Sequence, residues 1–251
     1  MPIILEASSI SKSFRGLMAI SDVSVRLEEG QITGLIGPNG AGKTTLFNII
    51  TGGIAPDRGT VTFLGKELGK LTPDRICRLG ISRTYQLVRP FLSLPVYRNV
   101  LIGVYFGRDG YISSAKAERE VDELLEFVGL RDKRAARASE LNTVERKHLE
   151  IARALATLPR LLLLDEVVAG LNPSETSAVM ESIREIRRRG VTIFLIEHVM
   201  KVVMGLSDHL LVLHHGELIA EGKPEKVATS PAVVEAYLGH RRPAGAYHAE
   251  G

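Results

Sequence analysis

The chain has 251 residues, 45% of them hydrophobic and 24% charged, which is ordinary globular composition with enough length for a sizeable core. Its 32 basic and 29 acidic residues leave a formal charge of +3, too even a balance for a nucleic-acid-binding face, so no nucleic-acid partner is expected. A single cysteine, Cys77, excludes an internal disulfide or a cysteine-built metal site and fits a reducing compartment.

The N-terminal residues lack the basic start and long apolar stretch of a secretory signal. No run of about 18 uncharged apolar residues occurs further on, so neither export nor direct membrane insertion is expected. Strand signals follow at residues 3–5, at the alternating residues 23–27, at the buried-looking Ile32–Ile36 and at residues 60–64. Turn signals at Glu29-Gly30 and Asp57-Arg58-Gly59 separate them.

Between the strand Ile32–Ile36 and an apolar segment, residues 45–50, that predicts a buried helix, the chain reads GPNGAGKTT. A glycine-rich turn in that position lets several backbone N–H groups converge on a polyphosphate, adds the positive end of a helix, and leaves no side chain in the way. Gly37, Pro38, Asn39, Gly40, Ala41, Gly42, Lys43, Thr44 and Thr45 therefore form a complete P-loop, and the expected ligand is ATP or another nucleoside triphosphate. Lys43 would reach the β- and γ-phosphates, and the Thr44 hydroxyl would serve Mg²⁺.

From Pro73 to about Glu140 the pattern turns helical, with residues 115–128 the clearest amphipathic stretch and residues 90–95 an irregular connector. Residues 144–158 predict a second strong helix, closed by Pro159. LLLLDE, residues 161–166, has the four apolar residues of a strand buried on both faces and ends in two acids. Asp165 would then lie close to the P-loop and hold Mg²⁺ with Thr44, while Glu166 would orient or deprotonate an attacking water. Residues 173–189 predict a helix stopped by Gly190, residues 191–196 another buried strand, and residues 210–214 with 217–220 a hairpin turning at His215-Gly216.

Strands alternating with helices after the P-loop predict an α/β fold with ligand at the strand C-termini. The expected organisation is a single domain, residues 1–240. Residues 1–75 and 145–220 make a β subdomain plus core, 76–144 an inserted helical subdomain, and 221–240 a C-terminal helical segment. Residues 241–251 have little to pack and are expected to be mobile.

The order of these motifs, from about Ile3 to Gly239, resembles the ATP-binding subunits of ABC transporters. The resemblance implies a P-loop NTPase (RecA-like) core with an N-terminal antiparallel β subdomain and an inserted α-helical subdomain. It places Phe14 against the adenine, makes Gln86 in SRTYQLVRP the glutamine that touches Mg²⁺ and senses the γ-phosphate, and makes His198 in TIFLIEH the histidine that contacts the γ-phosphate. LEIARALA, AGLNPSE, LIEH and VVEAYLG look most like the branched-chain amino-acid importer branch. The implied partners are transmembrane permease subunits and a second ATPase subunit or a second copy, at the cytoplasmic face of the membrane. Alternatives are the ATPase of another ABC system, such as lipopolysaccharide export, and a regulatory subunit that hydrolyses poorly.

The chain departs from that family where the signature LSGGQ is expected, reading LNTVE at residues 141–145. Val144 would obstruct the close approach of a phosphate, and Glu145 would repel it. A homodimer would carry this defect in both sites, a heterodimer in one, so the expectation is a different partner ATPase; a harmless family variant is the alternative. Val167 and Asn172 replace a usual proline and aspartate, while Phe91, Leu92, Leu94 and Val96 are expected to form part of a socket for the permease.

Overall fold

A computed structural model describes residues 1–85 and 90–238. In chain order the first half holds β1 (Ile3–Phe14), β2 (Leu17–Glu28), β3 (Ile32–Ile36), α1 (Lys43–Ile50), β4 (Arg58–Phe63), β5 (Lys66–Glu67), α2 (Pro73–Arg78), β6 (Ile81–Arg83), α3 (Val96–Phe106) and α4 (Ser114–Phe127). The second half holds α5 (Thr143–Leu155), β7 (Leu161–Asp165), α6 (Pro173–Arg188), β8 (Thr192–Ile196), α7 (Met200–Leu206), β9 (His209–His214), β10 (Glu217–Gly222), α8 (Pro224–Ala228) and α9 (Pro231–Leu238).

Two sheets organise these elements. An antiparallel sheet of order β2-β1-β4-β5 comes from the N-terminal region, and a six-stranded sheet of order β10-β9-β3-β8-β7-β6 forms the core. In the second sheet only β10 runs antiparallel to its neighbour. β3, β7 and β8 are buried at every residue, because helices or the first sheet cover both faces, which is why they read as mostly apolar runs. This is the α/β fold class read from the sequence, with β3 delivering the P-loop at its C-terminal end between β9 and β8. One apolar cluster lies between the two sheets around α1, where the Phe47 and Phe194 rings stand 4.9 Å apart, and a second joins α3, α4 and α5 to the other face of the core sheet.

Three details differ from the sequence reading. β6 lies inside the stretch read as helical; three residues carry no periodicity, and the strand exists because Ile81 to Arg83 pair in register with Leu161 to Leu163 of β7. β1 runs well past residues 3–5, with register shifts beside Ser9, whose φ is +50°. Val96, expected at an outer socket, is fully buried at the start of α3, whereas Phe91 and Leu92 are exposed and Leu94 is half-buried. The 241–251 tail lies outside the described residues.

Candidate active site

The P-loop is pressed between neighbours that leave no room for side chains at two positions. Gly37 has φ +152°, and a Cβ there would stand 2.1 Å from the Leu213 carbonyl oxygen at the end of β9. Gly42 has φ +105°, and a Cβ there would stand 2.5 Å from the Ala19 carbonyl oxygen of β2. The β9–β10 turn braces the loop as well, since the Gly216 N–H donates to the Ala41 carbonyl at 3.1 Å and the Ser21 N–H donates to the Gly216 carbonyl at 2.8 Å. α1 begins at Lys43 with no side-chain cap and no acid in its first turn, so its leading N–H groups are left for an anion.

Lys43 is buried, and its ammonium donates to the carbonyls of Gly37 (2.7 Å) and Pro38 (2.9 Å), which holds one positive charge inside the loop. Burial pulls its pKa down, against the opposing pull of the Glu166 and Asp165 carboxylates. Asn39, Gly40 and Thr44 are exposed along the rim, Ala41 is buried, and Pro38 and Thr45 are half-buried.

Asp165 ends β7 and is only 3% exposed. Its N–H donates to the Thr84 hydroxyl at 3.1 Å, and its Oδ2 accepts a 2.6 Å bond from the Arg83 guanidinium. Arg83 was not singled out from sequence. Its side chain is 4% exposed, donates to Asn48 Oδ1 of α1 at 2.5 Å, and lies over the Phe47 and Tyr85 rings at 5.4 and 4.9 Å. Burial raises the Asp165 pKa, and the Arg83 bond and charge oppose that rise. Asp165 and Thr44 line one cleft of about 740 Å³, with Asn48, Cys77, Arg83 and Arg153 also on its walls.

The next residue, Glu166, has φ +51°, a left-handed conformation that costs a non-glycine residue about 1–3 kcal/mol and persists where surrounding structure dictates it. Its N–H donates to the Ile196 carbonyl at 3.0 Å, and its Oε1 lies 3.8 Å from His198 Nδ1. The structure thus brings together Lys43, Asp165, Glu166 and His198. Phe14 is 43% exposed at the tip of the β1–β2 hairpin, beside exposed Leu17 and Met18, with the Lys12 ammonium 5.7 Å from its ring; it is not a core residue. Gln86 lies outside the described residues.

The LNTVE stretch has a defined structure. Asn142 caps α5: its Oδ1 accepts from the Glu145 N–H (2.9 Å), and Glu145 Oε2 accepts from the Asn142 N–H (3.0 Å), a reciprocal capping box. Lys133 pairs with Glu145 at 2.6 Å, and this bond is the main reason the carboxyl pKa is held low, with the Asn142 N–H adding to it. Asn172 builds the same box with Glu175 at the start of α6.

These residues fit a magnesium-bound triphosphate. A cradle that Cβ atoms would fill and a helix start with no side-chain cap suit the phosphates, and a buried carboxylate and a hydroxyl on one cleft suit Mg²⁺, which takes few protein ligands beside phosphate oxygens and water. The ABC transporter family model matches residues 20–169, from β2 through the cradle to the turn after β7. The chain belongs to the ABC transporter family. Nucleotide binding and ATP hydrolysis are typical of this family, whose cassettes work with transmembrane permease subunits and form dimers. A second model, "Branched-chain amino acid ATP-binding cassette transporter", matches residues 217–242. The high-affinity branched-chain amino acid transport ATP-binding protein LivG of Salmonella typhimurium is 41% identical, covering 94% of this chain and 98% of its own length. BraF of Pseudomonas aeruginosa, of the same description, is 40% identical with the same coverage. The crystal structure of the ADP conformation of MJ1267, an ATP-binding cassette of an ABC transporter, superposes with a TM-score of 0.84 at 34% identity, covering 95% of this chain and all of that one.

Proposed function

We propose that this chain is the ATP-hydrolysing subunit of an importer for branched-chain or related amino acids, acting at the cytoplasmic face of the membrane on transmembrane permease subunits. The single observation that carries the catalytic reading is Glu166, held in a left-handed conformation beside the Lys43 cradle with His198 Nδ1 3.8 Å from its carboxylate. The transported class rests on the kinship with LivG and BraF and on the C-terminal match at residues 217–242. Among the described residues no helix is long and apolar enough to cross a membrane, so the subunit would dock on one that spans it. The wall of the cleft formed by Ile102, Gly103 and Arg153, on α3 and α5, is the proposed docking place, with Phe91 at its rim, 5.3 Å from the Arg153 guanidinium.

In this reading the P-loop N–H groups and Lys43 hold the β- and γ-phosphates, and Phe14 stacks on the adenine. Thr44, Asp165 and Gln86 would hold Mg²⁺, which supplies neutralisation of phosphate charge. Glu166 takes a proton from water as the water oxygen bonds to the γ-phosphorus. The bond from that phosphorus to the bridging oxygen breaks, and ADP carries the electron pair away. His198, 3.8 Å from the Glu166 carboxylate, would contact the γ-phosphate.

The geometry of α5 supports a different partner ATPase. The N–H of Asn142 and the charge of Glu145 are spent on each other and on Lys133, so the helix start that would face a partner's γ-phosphate offers a fixed carboxylate in place of an open cap. A second ATPase subunit with an uncapped signature would complete the site on this chain, while LNTVE would close a weaker one over the partner's ATP. Steady-state hydrolysis by the chain alone and with that partner tests the pairing. The expected result is slow turnover alone and cooperative turnover in the mixture; fast cooperative turnover by the isolated chain would overturn it.

A further inference from the structure

Lys147 of α5 is spent in a way the proposed reaction does not yet use. Its ammonium donates to three backbone carbonyls of one turn, those of Glu166 (3.5 Å), Val167 (3.2 Å) and Ala169. From the other side Glu197, next to the end of β8 and 1% exposed, accepts the Val168 N–H at 3.0 Å. The turn closes on itself through the Ala169 N–H to the Glu166 carbonyl (3.2 Å). Four consecutive residues are thus gripped by a cation on one side and a carboxylate on the other, and the first of them is the strained Glu166. Glu197 Oε2 is buried with no hydrogen-bond partner among the described residues. Burial pulls the Lys147 pKa down and the Glu197 pKa up, and the Glu197 carboxylate is the first of three that oppose the fall at Lys147.

An ammonium bridging three carbonyls fixes a backbone more tightly than a single amide bond, because bonds to a charged donor are about twice as strong as neutral ones. A side-chain carboxylate is aimed by its backbone, and small errors of aim at a reacting atom cost large factors in rate. α5, β7 and β8 pack in one apolar cluster, so the grip holds only while α5 and the end of β8 keep their places beside β7.

We propose that Lys147 is a positioning residue for hydrolysis: with Glu197 it clamps residues 166–169, holds Glu166 in the left-handed conformation that aims its carboxylate at water, and ties that aim to the placement of α5. The inference rests on Glu166 being the base. It also makes the helix that carries the self-capped Asn142 end part of the same rigid unit as the base, so a partner that pulls on α5 alters the base it never touches.

The test compares Lys147→Met and Lys147→Arg in the assembled ATPase with its partner, alongside Glu166→Gln, reading kcat, KM and calorimetric MgATP affinity. The expected result for Lys147→Met is a fall in kcat of about a hundredfold, with KM and affinity within about twofold of the parent. Lys147→Arg, which keeps a charge and several donors, restores most of the lost turnover. Should Lys147→Met fail to fold, Lys147→Gln, uncharged and shorter, is read by the same split. A kcat within about twofold of the parent in Lys147→Met while Glu166→Gln is inactive would overturn the clamp alone. Loss of affinity equal to the loss of rate, unrescued by arginine, would reduce Lys147 to packing and overturn it too. Normal turnover by Glu166→Gln would instead remove the base on which the proposal stands.

Discussion

Arg83→Ala removes a guanidinium from a place where neither partner is screened by water, since Arg83 and Asp165 are 4% and 3% exposed. It also strands Asn48 Oδ1 and empties the space over the Phe47 and Tyr85 rings. Removing one partner of a buried ion pair costs about 3–5 kcal/mol, because an uncompensated charge stays behind. For a chain of this size each kcal/mol moves the melting temperature by roughly 2–4 °C, so the expected drop is about 6–20 °C in the nucleotide-free protein. The double variant Arg83→Met with Asp165→Leu, which leaves no buried charge, should recover much of that loss, giving a clearly non-additive cycle. The sign with pH follows from Asp165. Burial already raises its folded pKa, and loss of Arg83 raises it further. A carboxyl whose folded pKa lies above its unfolded one binds more protons when folded, so its contribution is lost as pH rises through that window. The Arg83→Ala deficit is therefore larger at pH 8 than at pH 5. Calorimetric melts of the parent, Arg83→Ala, Arg83→Met, Asp165→Leu and the double variant at both pH values decide the matter; a drop under about 3 °C for Arg83→Ala, or single effects that simply add, would refute the reasoning.

Asp57 is the opposite case: the Lys12 bond, then the Ser13 N–H, hold its pKa down at about 2. Its stabilising effect is present above the ordinary carboxylate pKa and fades as pH falls toward 2, so an NMR titration of that carboxyl in the native state should find a midpoint well below 3.8. Phe14→Ala should weaken MgATP binding by roughly tenfold, given about 1–3 kcal/mol for an aromatic ring stacked on a base. An unchanged dissociation constant would remove Phe14 from the nucleotide site. Phe91→Asp should leave ATP affinity within about twofold yet uncouple hydrolysis from transport in vesicles, an aspartate at the cleft rim being costly to bury against an apolar partner segment; unimpaired uptake would exclude Phe91 from the docking surface.

Much of this architecture can be read locally. Residues 161–164 are a wholly apolar run and Ile32–Ile36 a mostly apolar one, both of strand length, so their burial on both faces is legible from composition. The P-loop is legible because backbone geometry and phosphate chemistry restrict its residue types together. Asn142 and Glu145 are legible in part: their departure from LSGGQ marks lost phosphate contacts, and their three-residue spacing is the local signal of the capping box that the fold shows. β6 is not legible locally, because its partner strand lies some eighty residues away and three residues show no period. Arg83 and Lys147 carried no signal at all. One pairs with an acid distant in sequence, and the other binds carbonyls, which every residue possesses, so only the folded chain distinguishes them from surface cations. The positive φ of Glu166 is equally silent, since glutamate is not a residue type that announces a left-handed position.

The most direct test of the whole account is MgATP binding and turnover measured together on the parent, Glu166→Gln and Lys43→Ala, each with its partner ATPase. The account predicts that Glu166→Gln binds MgATP as tightly as the parent, hydrolyses it at least about a hundredfold more slowly and accumulates a closed complex, while Lys43→Ala loses binding itself. Parental turnover by Glu166→Gln, or undiminished MgATP affinity in Lys43→Ala, would contradict it.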